Sequence, residues 1–231
     1  MKTIGLLGGM SWESSALYYS FINEQVREQL GGLHSAKIVL VSVDFAEIEE
    51  LQRCGEWDKA GELLGQAAAQ LEEGGADFIL ICTNTMHKVF GSIQDSVKIP
   101  VLHIADATAA AITKSGLEKV GLLGTSYTME QSFYKDRIAE SGIDILVPGK
   151  KERNFINKVI FEELCLGKVR APSRDAFNRI MEDLRLQGAE GIILGCTEIG
   201  MLVGGKDIDL PLFDTTKIHA QEAVNISLEN D

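Results

Sequence analysis

The sequence has no excess of basic charge, no closely spaced cysteines and no long apolar run. Each absence removes a class of function. A net charge of −12 over 231 residues argues against nucleic acid or an anionic membrane surface as the main partner, because both favour a basic patch. A small anionic substrate stays compatible with it, since a pocket's local field can oppose the global charge. The four cysteines stand at 54, 82, 165 and 196, too far apart for a CxxC metal or redox motif, and free thiols fit a reducing compartment. The opening MKTIGLLGGMSWES meets Gly8, Gly9 and Glu13 too soon for a signal-peptide core. No apolar run approaches the ~20 residues of a membrane span, so the expected setting is the cytoplasm. Gly5, Gly8 and Gly9 fit neither the dinucleotide fingerprint nor the P-loop. His34, His103 and His219 lack a metal-ligand spacing. The expectation is therefore no cofactor and no metal.

What is present is an ordinary globular composition, 45% hydrophobic and 24% charged, arranged in alternating patterns. Strand-like runs cover Thr3–Leu7, Lys37–Val43, Phe78–Cys82, Val101–Ile104, Val120–Leu123, Gly191–Leu194 and Leu210–Phe213. Helical patterns cover Ser14–Leu30, Asp58–Glu73, Ala105–Ser115, Met129–Ser141, Arg153–Leu166, Pro172–Gln187 and Lys217–Leu228. Such alternation predicts parallel sheets with helices on both faces.

The two halves also repeat. GLLG at Gly5 recurs at Gly121, GADFILICTN at Gly75 recurs as GAEGIILGCT at Gly188, and IPVL at Ile99 recurs as LPLF at Leu210, with offsets of 116, 113 and 111. Three matches in one order at nearly one offset point to gene duplication. The predicted fold is α/β, with two pseudo-symmetric parallel-sheet domains at residues 1–98 plus 210–231 and at 99–209. The active site is expected in the cleft between them, at the strand C-termini. The second match aligns Cys196 with Thr83 and Gly195 with Cys82, so Thr83 and Cys196 are expected to face each other across the cleft.

Three segments, GLLGGM at 5–10, TNTMH at 83–87 and GCTE at 195–198, together resemble the aspartate/glutamate racemase family over essentially the whole chain. Its middle motif normally reads Cys-Asn-Thr-x-His and its late motif Gly-Cys-Thr followed by Glu or His. The resemblance implies a cofactor-independent amino-acid racemase, commonly a homodimer. Inverting an α-carbon needs one proton-transfer group on each face. A thiol, of ordinary pKa ~8.5, suits the task when a helix N-terminus or nearby cation lowers it toward neutrality. Carried over residue by residue, Cys196 takes the α-proton, while Asn84, Thr85 and Thr197 hold the α-carboxylate. Thr125 and the Gly9–Met10 turn assist, and Glu198 contacts either the thiol or the substrate amine. His87 is expected to anchor its turn.

The chain departs from the family twice. Thr83 occupies the place of the first catalytic cysteine, and Cys82 is no simple substitute, because adjacent strand residues point to opposite faces. A hydroxyl is a far poorer base than a thiol, which implies a racemase biased toward L-substrates, with Cys196 as the base and reprotonation from the Thr83 side. In addition, acid-specific members carry a lysine where FEELCLGK places Cys165. Gln52 or Arg53, in a loop around 43–57, is then expected to contact the distal group. Aspartate or glutamate is the first substrate expected, with a broader amino-acid range and an arylmalonate decarboxylase-like single-cysteine enzyme as alternatives. A solute-binding module is a further rival. Trp12 and Trp57 are read as packing anchors, and Cys54, Cys82 and Cys165 as residues without chemistry. The charge runs Glu47–Glu50 and Lys150–Arg153 are read as solvated faces, the latter alternatively as a mobile loop.

Overall fold

A computed structural model describes residues 1–229. Its elements in chain order are β1 (Ile4–Gly8), α1 (Trp12–Leu30), β2 (Ile38–Ser42), α2 (Phe45–Cys54), α3 (Trp57–Glu73), β3 (Phe78–Ile81), α4 (Phe90–Asp95), β4 (Val101–Leu102) and α5 (Ile104–Lys114). They continue with β5 (Lys119–Gly124), α6 (Ser126–Glu130), α7 (Ser132–Ala139), β6 (Asp144–Leu146), α8 (Lys150–Glu162), α9 (Ala171–Leu186), β7 (Ile192–Gly195), α10 (Ile199–Leu202), β8 (Leu212–Asp214) and α11 (Thr215–Leu228). Short 3-10 turns lie at Thr85–Val89 and Leu164–Leu166.

Two four-stranded parallel sheets result, ordered β2-β1-β3-β4 and β6-β5-β7-β8. The same order twice is what the sequence repeat predicts. Even the register repeats: Leu7 pairs with Ile81 in the first sheet, and Leu123 with Leu194 in the second.

In the first unit the strands are apolar on both faces, as buried parallel strands must be. Ile79 and Ile81 turn toward Ile48, Leu64, Met86 and Ile93, on the side of α2, α3 and α4. Phe78, Leu80 and Cys82 turn the opposite way, onto Tyr18 and Ile22 of α1 and Ala223 of α11. In the second unit α6, α8 and α9 pack against β5. Phe177, Met181 and Leu184 of α9 are fully buried there. The central strands β5 and β7 end in the facing pair Gly124 and Gly195. A Cβ on Gly195 would lie 2.9 Å from the Leu123 carbonyl oxygen, so the close approach of the two strand ends requires glycine.

Compact grouping divides the chain into Met1–Ile104 with His219–Asp231, and Ala105–Ile218. The boundaries expected at 98/99 and 209/210 are thereby corrected. β4 pairs with β3, keeping Val101 and Leu102 in the first unit, and β8 pairs with β7, keeping Leu212–Asp214 in the second. The loop expected at 43–57 contains helix α2. Its N-cap Asp44 accepts the Ala46 N–H, and Gly55 closes it with a left-handed φ of 74°. The single helix expected at Met129–Ser141 is broken into α6 and α7 by Gln131, which is extended. Lys150–Arg153 opens α8, with Arg153 holding Glu130 at 2.8 Å.

His219 is fully buried in the first unit. Its Nε2–H donates to the Leu102 carbonyl at 3.2 Å, which leaves Nδ1 to accept from the Tyr18 hydroxyl at 2.9 Å. Burial, followed by the charge of nearby His87, lowers its pKa to about 3. The folded protein therefore refuses a proton that the unfolded chain accepts near pH ~6.5. Stability from this group is complete above ~6.5 and is lost as pH falls toward 3, at about 1.4 kcal/mol per pH unit. Urea titrations between pH 7 and pH 4 should show a shallower acid limb for His219→Gln than for the wild type. For Gly195→Ala, overpacking should cost about 1–3 kcal/mol, whereas Gly205→Ala, in open space, should stay within about 0.5 kcal/mol.

Candidate active site

The chemistry-bearing residues sit just beyond the C-terminal ends of the central strands, where the chain must turn. After β1, Gly9 adopts φ 94°, and a side chain there would collide with the Val43 backbone. The Gly9 N–H donates to Ser15 Oγ at 2.8 Å, and Ser11 caps α1 by accepting from the Ser14 N–H. Met10, within this turn, is buried in the core with Met86.

After β3, the Cys82 N–H donates to the Leu7 carbonyl at 2.9 Å and the Thr83 N–H to the Ile81 carbonyl at 2.8 Å. Cys82 therefore lies inward, and burial pushes its thiol far up. Thr83 is half-buried, while Asn84 and Thr85 are buried at the start of the 3-10 turn. His87 anchors that turn, as expected: its Nδ1 contacts the Thr83 carbonyl at 2.8 Å, and its Nε2 accepts the Ile104 N–H.

In the second unit Thr125 caps α6 by accepting the Thr128 N–H at 3.3 Å. After β7, Cys196, Thr197 and Glu198 are all buried. The Cys196 thiol donates to Glu198 Oε2 at 2.9 Å, and the Thr197 hydroxyl donates to the same oxygen at 2.7 Å. One carboxylate oxygen thus gathers both side chains. Of the two contacts expected for Glu198, the structure places it on the thiol.

The expectation of a thiol lowered toward neutrality is corrected. Cys196 is pushed well above its ordinary value, first by burial and then by the charge of Glu198, with that of Cys165 adding to it. α10, which follows directly, has only four residues, and a carboxylate replaces the expected cation. The resting group is therefore S–H, and a base for it stands within hydrogen-bond reach.

Gln52 and Arg53 separate. Gln52 is buried on α2 and donates to Met86 Sδ at 2.9 Å, while Arg53 is exposed and paired with Glu50. Gln52 thus reaches the segment that carries Thr83, and Arg53 faces solvent. Cys165 lies on the 3-10 turn that packs against α10. Its link to Cys196 is invisible to sequence spacing. Trp12 is 68% exposed, so it is not a packing anchor, whereas Trp57 packs on the first core with Lys88 Nζ 3.8 Å above its ring. Cys54 is exposed and contacts Glu50. Among the described residues no cluster of three or more His, Cys, Asp or Glu side chains could hold a metal ion. No described helix is long and apolar enough to cross a membrane.

The chain is similar to a broad-specificity amino-acid racemase, RacX, of Bacillus subtilis, at 23% identity over 74% of each chain. A Yersinia pestis structure assigned to the Asp/Glu racemases is 53% identical, with a TM-score of 0.93 over 99% of this chain and 100% of that one. An aspartate racemase homologue from Pyrococcus horikoshii OT3 is 35% identical, with a TM-score of 0.88 over 99% and 100% of the two chains. The family profile described as Asp/Glu/Hydantoin racemase matches residues 7–223, and with the repeated sheets and the two strand-end motifs this shows that the chain belongs to the Asp/Glu/hydantoin racemase family.

Proposed function

We propose that the chain is a cofactor-independent amino-acid racemase acting first on L-aspartate and L-glutamate, with Cys196 as the base and the Thr83 side as the proton donor. The observation that carries this reading is the Cys196–Glu198 hydrogen bond of 2.9 Å at the end of β7, in the repeat whose counterpart strand end carries Thr83. The reaction needs both groups at one α-carbon, on opposite sides of it.

The protons balance as follows. The thiol passes its proton to Glu198, breaking S–H and forming O–H. The thiolate then removes the α-proton of the L-isomer and becomes a thiol again. A proton from the Thr83 hydroxyl, or from a water it holds, closes the opposite face, and that oxygen is reprotonated from solvent. Glu198 releases its proton to solvent, and nothing is consumed overall. The carbanion needs donors at its carboxylate. Asn84 and Thr85 supply them at the turn after β3, and the Gly9–Met10 turn and Thr125 supply further backbone groups. Thr197 takes part once its hydroxyl leaves Glu198. Because the two isomers are equal in free energy, kcat/KM is the same in both directions, and the bias toward L-substrates takes the form of a higher kcat and a higher KM for the L-isomer than for the D-isomer. Gln52 is the group we assign to the distal end of the substrate. The kinship with a broad-specificity racemase favours a range that extends past the two acids. A homodimer in the cytoplasm completes the reading, and sedimentation tests the oligomeric part.

A chiral assay of L- and D-amino acids decides the matter. Cys196→Ser should lose about 10²–10⁴-fold in turnover of L-aspartate, and Thr83→Cys should raise turnover of the D-isomer. Full activity in Cys196→Ser would overturn the assignment. Glu198→Gln separates thiol reactivity from catalysis. Without the carboxylate charge, Cys196 should be alkylated faster by iodoacetamide at pH 8, read by site-resolved mass spectrometry, while racemisation falls. A parallel fall in both would mark Glu198 as merely structural.

A further inference from the structure

His87 is bound on both sides of its ring. Nε2 accepts the Ile104 N–H at 3.2 Å, so Nδ1 carries the proton and donates to the Thr83 carbonyl at 2.8 Å. The ring is 2% exposed. It lies 4.5 Å from the His103 ring and 6.0 Å from that of His219, and is stacked at 6.4 Å on Phe90. Ile104 is the last residue of the first unit before the chain passes into the second, and His219 is the first after it returns. The residue that grips Thr83 is therefore packed among the residues at both chain passages.

We propose that His87 is the positioning residue for Thr83: by tying the Thr83 carbonyl to the Ile104 amide, it fixes the direction from which a proton reaches the α-carbon. The inference rests on the racemase reading above. A displacement of about 1 Å in a proton-transfer group costs on the order of 10²-fold in rate. A two-ended ring bond removes the freedom that would permit it, because both the donor and the acceptor of the neutral imidazole are committed to backbone.

Two isosteric halves of the ring test this. His87→Asn keeps an N–H at the place of Nδ1 and so retains the hold on Thr83. His87→Gln instead reaches the place of Nε2 with an oxygen that can accept the Ile104 N–H. In deuterated water with L-aspartate, two products are measured from one reaction. D-aspartate reports delivery from the Thr83 side, and deuterium in the recovered L-aspartate reports exchange through Cys196 alone. We expect the ratio of D-product to deuterated L-substrate to fall about ten-fold or more in His87→Gln and to stay within about two-fold of wild type in His87→Asn. Both signals come from the same folded molecules, so the ratio is independent of folding yield. An unchanged ratio in His87→Gln, or an equal fall in both variants, would overturn the proposal. A wild type that yields neither signal would instead overturn the racemase reading.

Discussion

The pairing of the two central strands in each sheet is the constraint on which the rest depends. Leu7 against Ile81 in one sheet and Leu123 against Leu194 in the other set how far each strand runs before its backbone leaves the sheet. A parallel strand buried on both faces has no surface of its own for chemistry. The residues just past the last ladder bond are where the chain turns and side chains are released. Thr83 and Cys196 stand at those positions. Shifting either strand by one position would exchange Thr83 with Cys82, or Cys196 with a neighbour, and bury the wrong group.

The carboxylate at Glu198 gives the second turn its character. It gathers the thiol and the Thr197 hydroxyl on one oxygen, and burial with its charge keeps Cys196 protonated at rest. A buried, protonated thiol is also slow to react with oxidants, because the thiolate is the reactive form. In the mechanism proposed above, readiness for proton transfer is stored in the neighbouring carboxylate rather than in an exposed sulfur anion.

Much of this was legible in the sequence, for reasons that can be named. Buried parallel strands need uninterrupted apolar runs, so β1, β3, β5 and β7 stand out, and the duplication doubled the signal. The motif residues follow those runs directly, so Thr83, Asn84, Thr85, Cys196, Thr197 and Glu198 were expected at the strand ends, where the structure has them. Helix α2 was hidden because its inward stripe is thin, with only Ile48 and Gln52 buried, although Asp44 and Gly55 mark its ends. β6 is three residues long and leaves no periodicity. The domain boundaries moved because strand pairing, which sequence does not display, decides where β4 and β8 belong. The direction of the Cys196 shift was equally hidden, since it turns on depth and on which way Glu198 points.

The first unit is built from two segments that flank the second unit in sequence. Its second core face is completed by Ala220, Ala223 and Val224 of α11, which follow all of Ala105–Ile218. As the chain emerges from the ribosome, the first unit is made early but lacks one wall of its core. The second unit is continuous and has every strand and helix it needs before α11 is made. Domains generally fold as units, so the order of completion is the reverse of the order of synthesis: the unit whose first segment is made earlier is the later of the two to close, and it closes with α11.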